Sequence, residues 1–191
     1  MRRRSERLLY AANGVDLRVA DVELTGGERV ERPFIRTPRA AGAVVFHGGR
    51  VLLLWRHRPI TGTWGWEIPL GEIGPEEEPE QAAARHVEEQ TGLRPGPLLP
   101  LMRIRPAGDV ADCEHIVFAA HQPEPAPAPV TAPEARDDAS QDDGDEGRER
   151  AEWVPMLRVQ ALIEEQAITS ATTSAALLHF LADLLQARPA H

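Results

Sequence analysis

At 191 residues, 42% of them hydrophobic and 27% charged, the chain is long enough to bury one substantial core and is composed like a globular domain. Its net charge of −9 argues against nonspecific nucleic-acid binding through bulk charge. All 21 basic residues are arginine, which removes lysine as a catalytic group, and the lone Cys113 excludes an intrachain disulfide and suits a reducing cytoplasm.

The start, MRRRSERLLYAANGVD, is basic, but its apolar run is broken by Asn13, Gly14 and Asp16, so it reads as a tail over 1–14 and not as a signal-peptide core. No later stretch approaches the length of a membrane span; no membrane or nucleic-acid partner is expected, and a cytoplasmic location is the default. Val15 to Leu24 alternates apolar and polar residues, Thr25 to Glu28 supplies turn chemistry, and an extended pattern resumes to Thr37; this predicts a hairpin over 15–37. Ala43 to Phe46 and Val51 to Trp55 are short continuous apolar runs around His47-Gly48-Gly49-Arg50, a second hairpin with strands buried on both faces.

A helix is expected from Pro79 through Gln90, stopped by Gly92 and Pro95. Leu98 to Arg105 and His115 to Ala120 are further strands, with His115 read as structural in preference to a ligand. Residues 122–148 form a Pro/Ala-rich and then acidic insertion: the residues from Gln122 to Arg150 include nine acids against three arginines. Order returns at Glu152-Trp153-Val154, followed by a helix from Pro155 and a last helix near Ser170 to Ala187, with Leu177, Leu178, Leu181, Leu184 and Leu185 on one face. The pattern predicts one α/β or α+β domain over 15–187, a mixed sheet with helices on its faces, and a short tail at 188–191.

The stretch Gly71 to Leu93, GEIGPEEEPEQAAARHVEEQTGL, carries the chemistry. Helical geometry places His86, Glu89 and Gln90 on one stripe, opposite Ala83, Ala84 and Val87. The spacing of Gly71, Glu77, Arg85, Val87, Glu89, Gly92 and Leu93 resembles the box of the Nudix hydrolases, G-x5-E-x7-R-E-U-x-E-E-x-G-U with U aliphatic. Two of that family's three acidic metal-holding positions read His86 and Gln90 here, leaving Glu89 as the matching carboxylate. Trp66-Glu67-Ile68-Pro69-Leu70-Gly71 resembles the run before the box in ADP-ribose and nucleotide-sugar pyrophosphatases, and Val51 to Arg58 resembles the strand upstream of it.

The resemblance implies a Nudix α/β/α sandwich and a metal-dependent pyrophosphohydrolase acting on a small nucleoside diphosphate linked to another group, such as ADP-ribose. The alternative is a Nudix-fold module that binds or senses nucleotide without turnover. It implies Mg²⁺ or Mn²⁺ held by Glu89, His86, Gln90 and the Leu70 carbonyl, with imidazole suiting Mn²⁺, Zn²⁺ or Ni²⁺ better than Mg²⁺. Gly71, Glu77 and Gly92 would be box scaffold, and Arg85 would orient the glutamates. Arg58 would contact the diphosphate, Glu67 and Trp66 would lie on the substrate side, and Trp64 or Trp66 could stack a base. A loop carboxylate, Glu149 or Glu146, would supply a metal ligand or the general base. The N-terminal hairpin implies a homodimer.

Overall fold

The computed structural model describes residues 1–126 and 148–186. Strands β1 (Arg2–Ala12) and β2 (Val15–Glu23) form an antiparallel hairpin, and β3 (Arg29–Arg36) pairs with β2. Residues 1–14 are therefore not a tail, and the cause is Asn13-Gly14. These two residues sit at φ 49° and 77°, the pair of positive values that a type I′ hairpin turn requires. The charges that look tail-like in sequence pair across strands: Glu6 accepts from Arg18 and Arg36, and Arg36 also reaches Asp112.

The central elements follow as β4 (Ala40–His47), β5 (Arg50–Arg58), β6 (Thr63–Glu67), β7 (Leu70–Glu72) and helix α1 (Pro79–Thr91). Next come β8 (Leu93–Arg94), β9 (Leu98–Ile104), β10 (Ala111–Asp112), β11 (His115–His121) and β12 (Glu124–Pro125). The described chain closes with β13 (Arg150–Pro155), a 3-10 turn at Met156–Arg158, and helices α2 (Val159–Glu164) and α3 (Ala171–Gln186). The main sheet runs β13-β5-β4-β11-β9, with β6 added to β5 and β7 to β4. It is mixed: β11 lies parallel to β4, and the other pairings are antiparallel. The N-terminal strands make a separate sheet, β1-β2-β3-β10.

The apolar runs of β4 and β5 are continuous because both faces of the sheet are covered. Ala41, Ala43, Val45 and Leu52 pack with Ala82, Ala83 and Val87 of α1. Val44, Val51 and Leu53 pack on the other side with Val159, Leu162, Ala176, Leu177 and Phe180 of α2 and α3. This is the α/β/α sandwich. Small residues let the layers approach: a Cβ at Gly42 would lie 2.2 Å from the Pro69 carbonyl oxygen, so glycine there admits the backbone leading into β7. In α3 the buried face is Thr172, Thr173, Ala176, Leu177 and Phe180, while Leu178 and Leu185 are exposed. Those two leucines sit one residue past the 3.6-residue stripe, where the next turn faces solvent.

Candidate active site

Pro79 opens α1, and Gly92 closes it in the left-handed region at φ 71°. The loop before the helix is tied to it by Glu77, which accepts from the Gly74 amide at 2.8 Å and from Arg85 Nε and Nη2, both at 2.8 Å. The Arg85 guanidinium, and after it the Gly74 amide, hold the Glu77 carboxyl down at about 2, and the same pairing raises Arg85. Arg85 extends further, donating through Nη1 to Glu89 at 3.2 Å and through Nη2 to the Glu72 carbonyl at 3.2 Å. Glu77 and Arg85 thus stand as a pair that fixes where Glu89 lies.

His86 is buried, with its ring against Gly71; a Cβ at position 71 would fall 2.3 Å from His86 Cε1. Its Nε2 lies 2.8 Å from the Glu72 carbonyl oxygen. A carbonyl only accepts, so this close contact places a ring hydrogen on Nε2 and turns Nδ1 towards Glu89 and Gln90. Gln90 Nε2 lies 3.5 Å from that Nδ1 and donates to the Leu70 carbonyl at 3.2 Å. Glu89 Oε2 is 3.7 Å from the same Nδ1. The four groups expected to hold a cation are therefore brought together: Leu70 O, His86 Nδ1, Glu89 and Gln90.

Among the described residues no group of three or more His, Cys, Asp or Glu side chains could hold a metal ion, so the family's crowded carboxylates are not reproduced here. Leu70 O, His86, Glu89 and Gln90 are the groups that would hold a cation. The Gln90 Oε1 atom is buried without a hydrogen-bond partner, and a half-turn of the amide directs it to the side of the Leu70 carbonyl. His86 donates its outer N–H to a backbone carbonyl, as metal-ligating imidazoles do. One carboxylate, one imidazole and two neutral oxygens suit Mn²⁺ or a later transition ion better than Mg²⁺.

The strand residues behave differently from their sequence reading. Trp66 is buried in the cluster facing α2 and α3, 5.1 Å from the Trp55 ring and beneath the Arg150 guanidinium. Strand side chains alternate, so Trp66 points away from the α1 side and is not a base-stacking residue there. Trp64 lies on that same far side, stacked on Trp55 and tilted against His57. Arg58 and Glu67 do face the α1 side, but they meet each other: Nε donates to Oε1 at 2.8 Å, and Nη2 pairs with Oε2. Arg56, passed over in sequence, shares their face; alternation along β5 is the signal that marks it. Glu149 is exposed and close enough for its charge to act on both Arg56 and Arg58. Glu146 lies outside the described residues. His115 Nδ1 contacts the Thr172 hydroxyl at 2.8 Å, and burial lowers its pKa, in keeping with a structural histidine.

The NUDIX domain family model matches residues 36–176. The chain is 32% identical over 179 residues to the CMP-5'-(N-acetyl-N-hydroxy-3-aminopropyl)phosphonate hydrolase of Streptomyces rubellomurinus (strain ATCC 31215), covering 93% of this chain and 81% of that protein. It is 33% identical over 85 residues to the ADP-ribose pyrophosphatase of Bacillus subtilis (strain 168), covering 44% of this chain and 46% of that one. A solved structure described as an ADP compounds hydrolase superposes with a TM-score of 0.76 at 17% identity, covering 95% of this chain and 92% of that chain, which speaks for the fold alone. With the box framework, the sandwich and a family model spanning most of its length in agreement, the chain belongs to the Nudix hydrolase family.

Proposed function

We propose that the chain is a pyrophosphohydrolase that cleaves the P–O–P link joining a nucleoside monophosphate to a second phosphorus-bearing group. The observation that carries this reading is the convergence of Leu70 O, His86 Nδ1, Glu89 and Gln90 on one side of α1. The names of two relatives bear on the substrate: one hydrolyses a CMP-linked phosphonate, the other is an ADP-ribose pyrophosphatase. Both fit the class of nucleotide joined through phosphorus to X. A cation held by the four groups, Mn²⁺ in preference to Mg²⁺, would neutralise phosphate charge and acidify the attacking water.

The chain's own residues do the rest. Arg85 anchors Glu89 in place through Nη1 while its other nitrogens are fixed on Glu77. Glu149, the residue before β13, accepts the proton of the attacking water, a role for which Glu146 also stands as a candidate. The new P–O bond forms as the bridging P–O bond breaks, and the leaving phosphoryl or phosphonyl group departs with the bridging oxygen.

The second reading, nucleotide binding without turnover, is favoured by one observation: the Gln90 amide donates to the very carbonyl that a cation needs. Turnover of CMP-linked phosphonates and ADP-ribose, assayed with Mg²⁺, Mn²⁺, Co²⁺ and Zn²⁺ beside Glu89→Gln, separates the two. Release of nucleoside monophosphate that Glu89→Gln abolishes supports hydrolysis; tight nucleotide binding with no turnover under any metal supports the module.

The working form is proposed to be a dimer. Strand β1 is exposed along almost its whole length, and Tyr10, Leu17 and Ile35 lie opposite one another in one exposed apolar row. A small sheet with an uncovered apolar row gains by covering it with a second copy. A nucleotide substrate and the free, buried Cys113 fit a cytoplasmic setting.

A further inference from the structure

Arg56 and Arg58 lie on the α1 side of β5 at its C-terminal end, and they are in opposite states. In the register of β5 with β6, Leu54 stands opposite Glu67, Arg56 opposite Gly65, and Arg58 opposite Thr63. Leu54, Arg56, Arg58 and Glu67 thus share one face, the one that α1 covers further along at Leu52. The Arg58 fork is filled: Nε and Nη2 are both taken by the Glu67 carboxylate, leaving Nη1 as its free end. Arg56 is half-buried and, among the described residues, makes no hydrogen bond and no ion pair. Burial pulls its pKa down, and the neighbouring Arg58 adds to this, while Glu67 and Glu149 act in the opposite sense from a distance.

A partly desolvated guanidinium without a partner is unfavourable, because five N–H donors lose water and gain nothing in return. Such a group fits a role in which the partner arrives with the ligand. The charge balance of the neighbouring site points the same way. With one carboxylate among its converging groups, the box would neutralise a substrate with two charged phosphorus centres only in part. Fixed positive charge on the adjoining strand face compensates for this, and a guanidinium offers the forked geometry that phosphoryl and phosphonyl oxygens accept.

We propose that Arg56, not Arg58, grips the phosphorus-bearing group that leaves with X, whether phosphate or phosphonate. This rests on the pyrophosphohydrolase reading for the identity of its ligand. Arg58 is the positioning partner: bound to Glu67, it keeps that carboxylate from pairing with Arg56 and so leaves the Arg56 fork open for the anion.

The test is calorimetric titration of the full chain with methylenediphosphonate, a P–C–P compound that cannot be hydrolysed, and separately with orthophosphate, in metal-free buffer. Wild type is expected to bind the diphosphonate, Arg56→Gln to lose at least about tenfold in affinity, and Arg56→Lys to recover part of it, as loss of a charge-assisted forked contact requires. Orthophosphate binding that is equally sensitive to Arg56 assigns the contact to a single phosphoryl group; insensitivity assigns it to the paired centres, and either supports the site. Melting temperature gives an independent readout. Removing an unpaired, desolvated cation leaves it unchanged or raises it, whereas loss of a structural arginine lowers it.

Undiminished binding by Arg56→Gln, a lowered melting temperature, or no binding by wild type overturns the proposal. The outcome is separable from that of the enzymatic reading. Turnover that survives Arg56→Gln undiminished sinks the Arg56 assignment alone. Absence of turnover with any nucleotide, alongside Arg56-dependent diphosphonate binding, sinks the enzymatic reading alone.

Discussion

Gly71 and His86 are a matched pair: the imidazole lies where a side chain at position 71 would have to go, within 2.3 Å of its Cβ. The box glycine is therefore not held by backbone conformation, since its φ does not lie in the positive range. It is held by the ring packed against it.

Gly71→Ala is accordingly expected to destabilise the fold by about 1–3 kcal/mol, the usual cost of overpacking a filled site. The double variant Gly71→Ala, His86→Ala should regain part of that loss, because the second change removes the atoms the methyl meets. Urea denaturation of the two variants beside wild type checks it; equal stabilities in single and double variants would refute the pairing.

Glu89 carries the one negative charge among the four converging groups, so Glu89→Gln should lower turnover on the order of 100-fold while leaving the fold intact. The double variant His86→Glu, Gln90→Glu should move metal preference from Mn²⁺ towards Mg²⁺, since hard cations favour carboxylate oxygen. Mn²⁺ paramagnetic resonance titration gives a readout free of activity: a single ion in wild type, and more than one in the double variant.

Glu77 supplies a pH dependence with a definite sign. Its carboxyl is held at about 2 against an ordinary value of 4.5, chiefly by the Arg85 hydrogen bonds. A depressed carboxyl contributes stability that is fully present above the ordinary value and is lost as pH falls towards the lowered one. The stability gap between wild type and Glu77→Gln should thus be constant at neutral pH and shrink between about pH 4.5 and 2. Glu6 is lowered too, by Arg36, which is why the comparison must be with the single variant and not with the raw acid curve.

The apolar row Tyr10, Leu17 and Ile35 predicts a concentration-dependent dimer, and Leu17→Glu, in the middle of that row, should shift it to monomer. Light scattering over a dilution series decides this; a wild-type monomer at micromolar concentration would count against it.

Much of this architecture is legible in the sequence, and the misses have physical reasons. Helix periodicity is local and needs no partner, so the box spacing puts Ala83 and Val87 on the buried side of α1; that Ala82 takes the place expected for Ala84, and that His86 is buried against Gly71, depend on how the helix is rotated on the sheet. Asn13-Gly14 was legible as well, but it looks like a break in an apolar run unless the arginine-rich residues before it are allowed to be a strand. The burial of Trp66 and the pairing of Arg58 with Glu67 are not legible in the sequence for a different cause. Which face of β6 carries Trp66, and whether Arg58 spends its fork on Glu67, depend on the register of one strand against another. Register is a tertiary property, and a single sequence leaves it open.

The chain of contacts from the Glu72 carbonyl through His86 and Gln90 to the Leu70 carbonyl has a consequence for the metal-free protein. Three carboxylates crowded on one helix turn repel one another until cations arrive, so such a site is strained when empty. Here two of the three positions, His86 and Gln90, carry no carboxylate and are already bonded to β7, so the strand and helix are clasped together with or without an ion. Stripping divalent cations with a chelator should therefore silence the protein without softening it: the melting curve recorded in EDTA should overlay the one recorded in Mn²⁺ at concentrations near its dissociation constant, where linkage stabilisation is only about 0.4 kcal/mol.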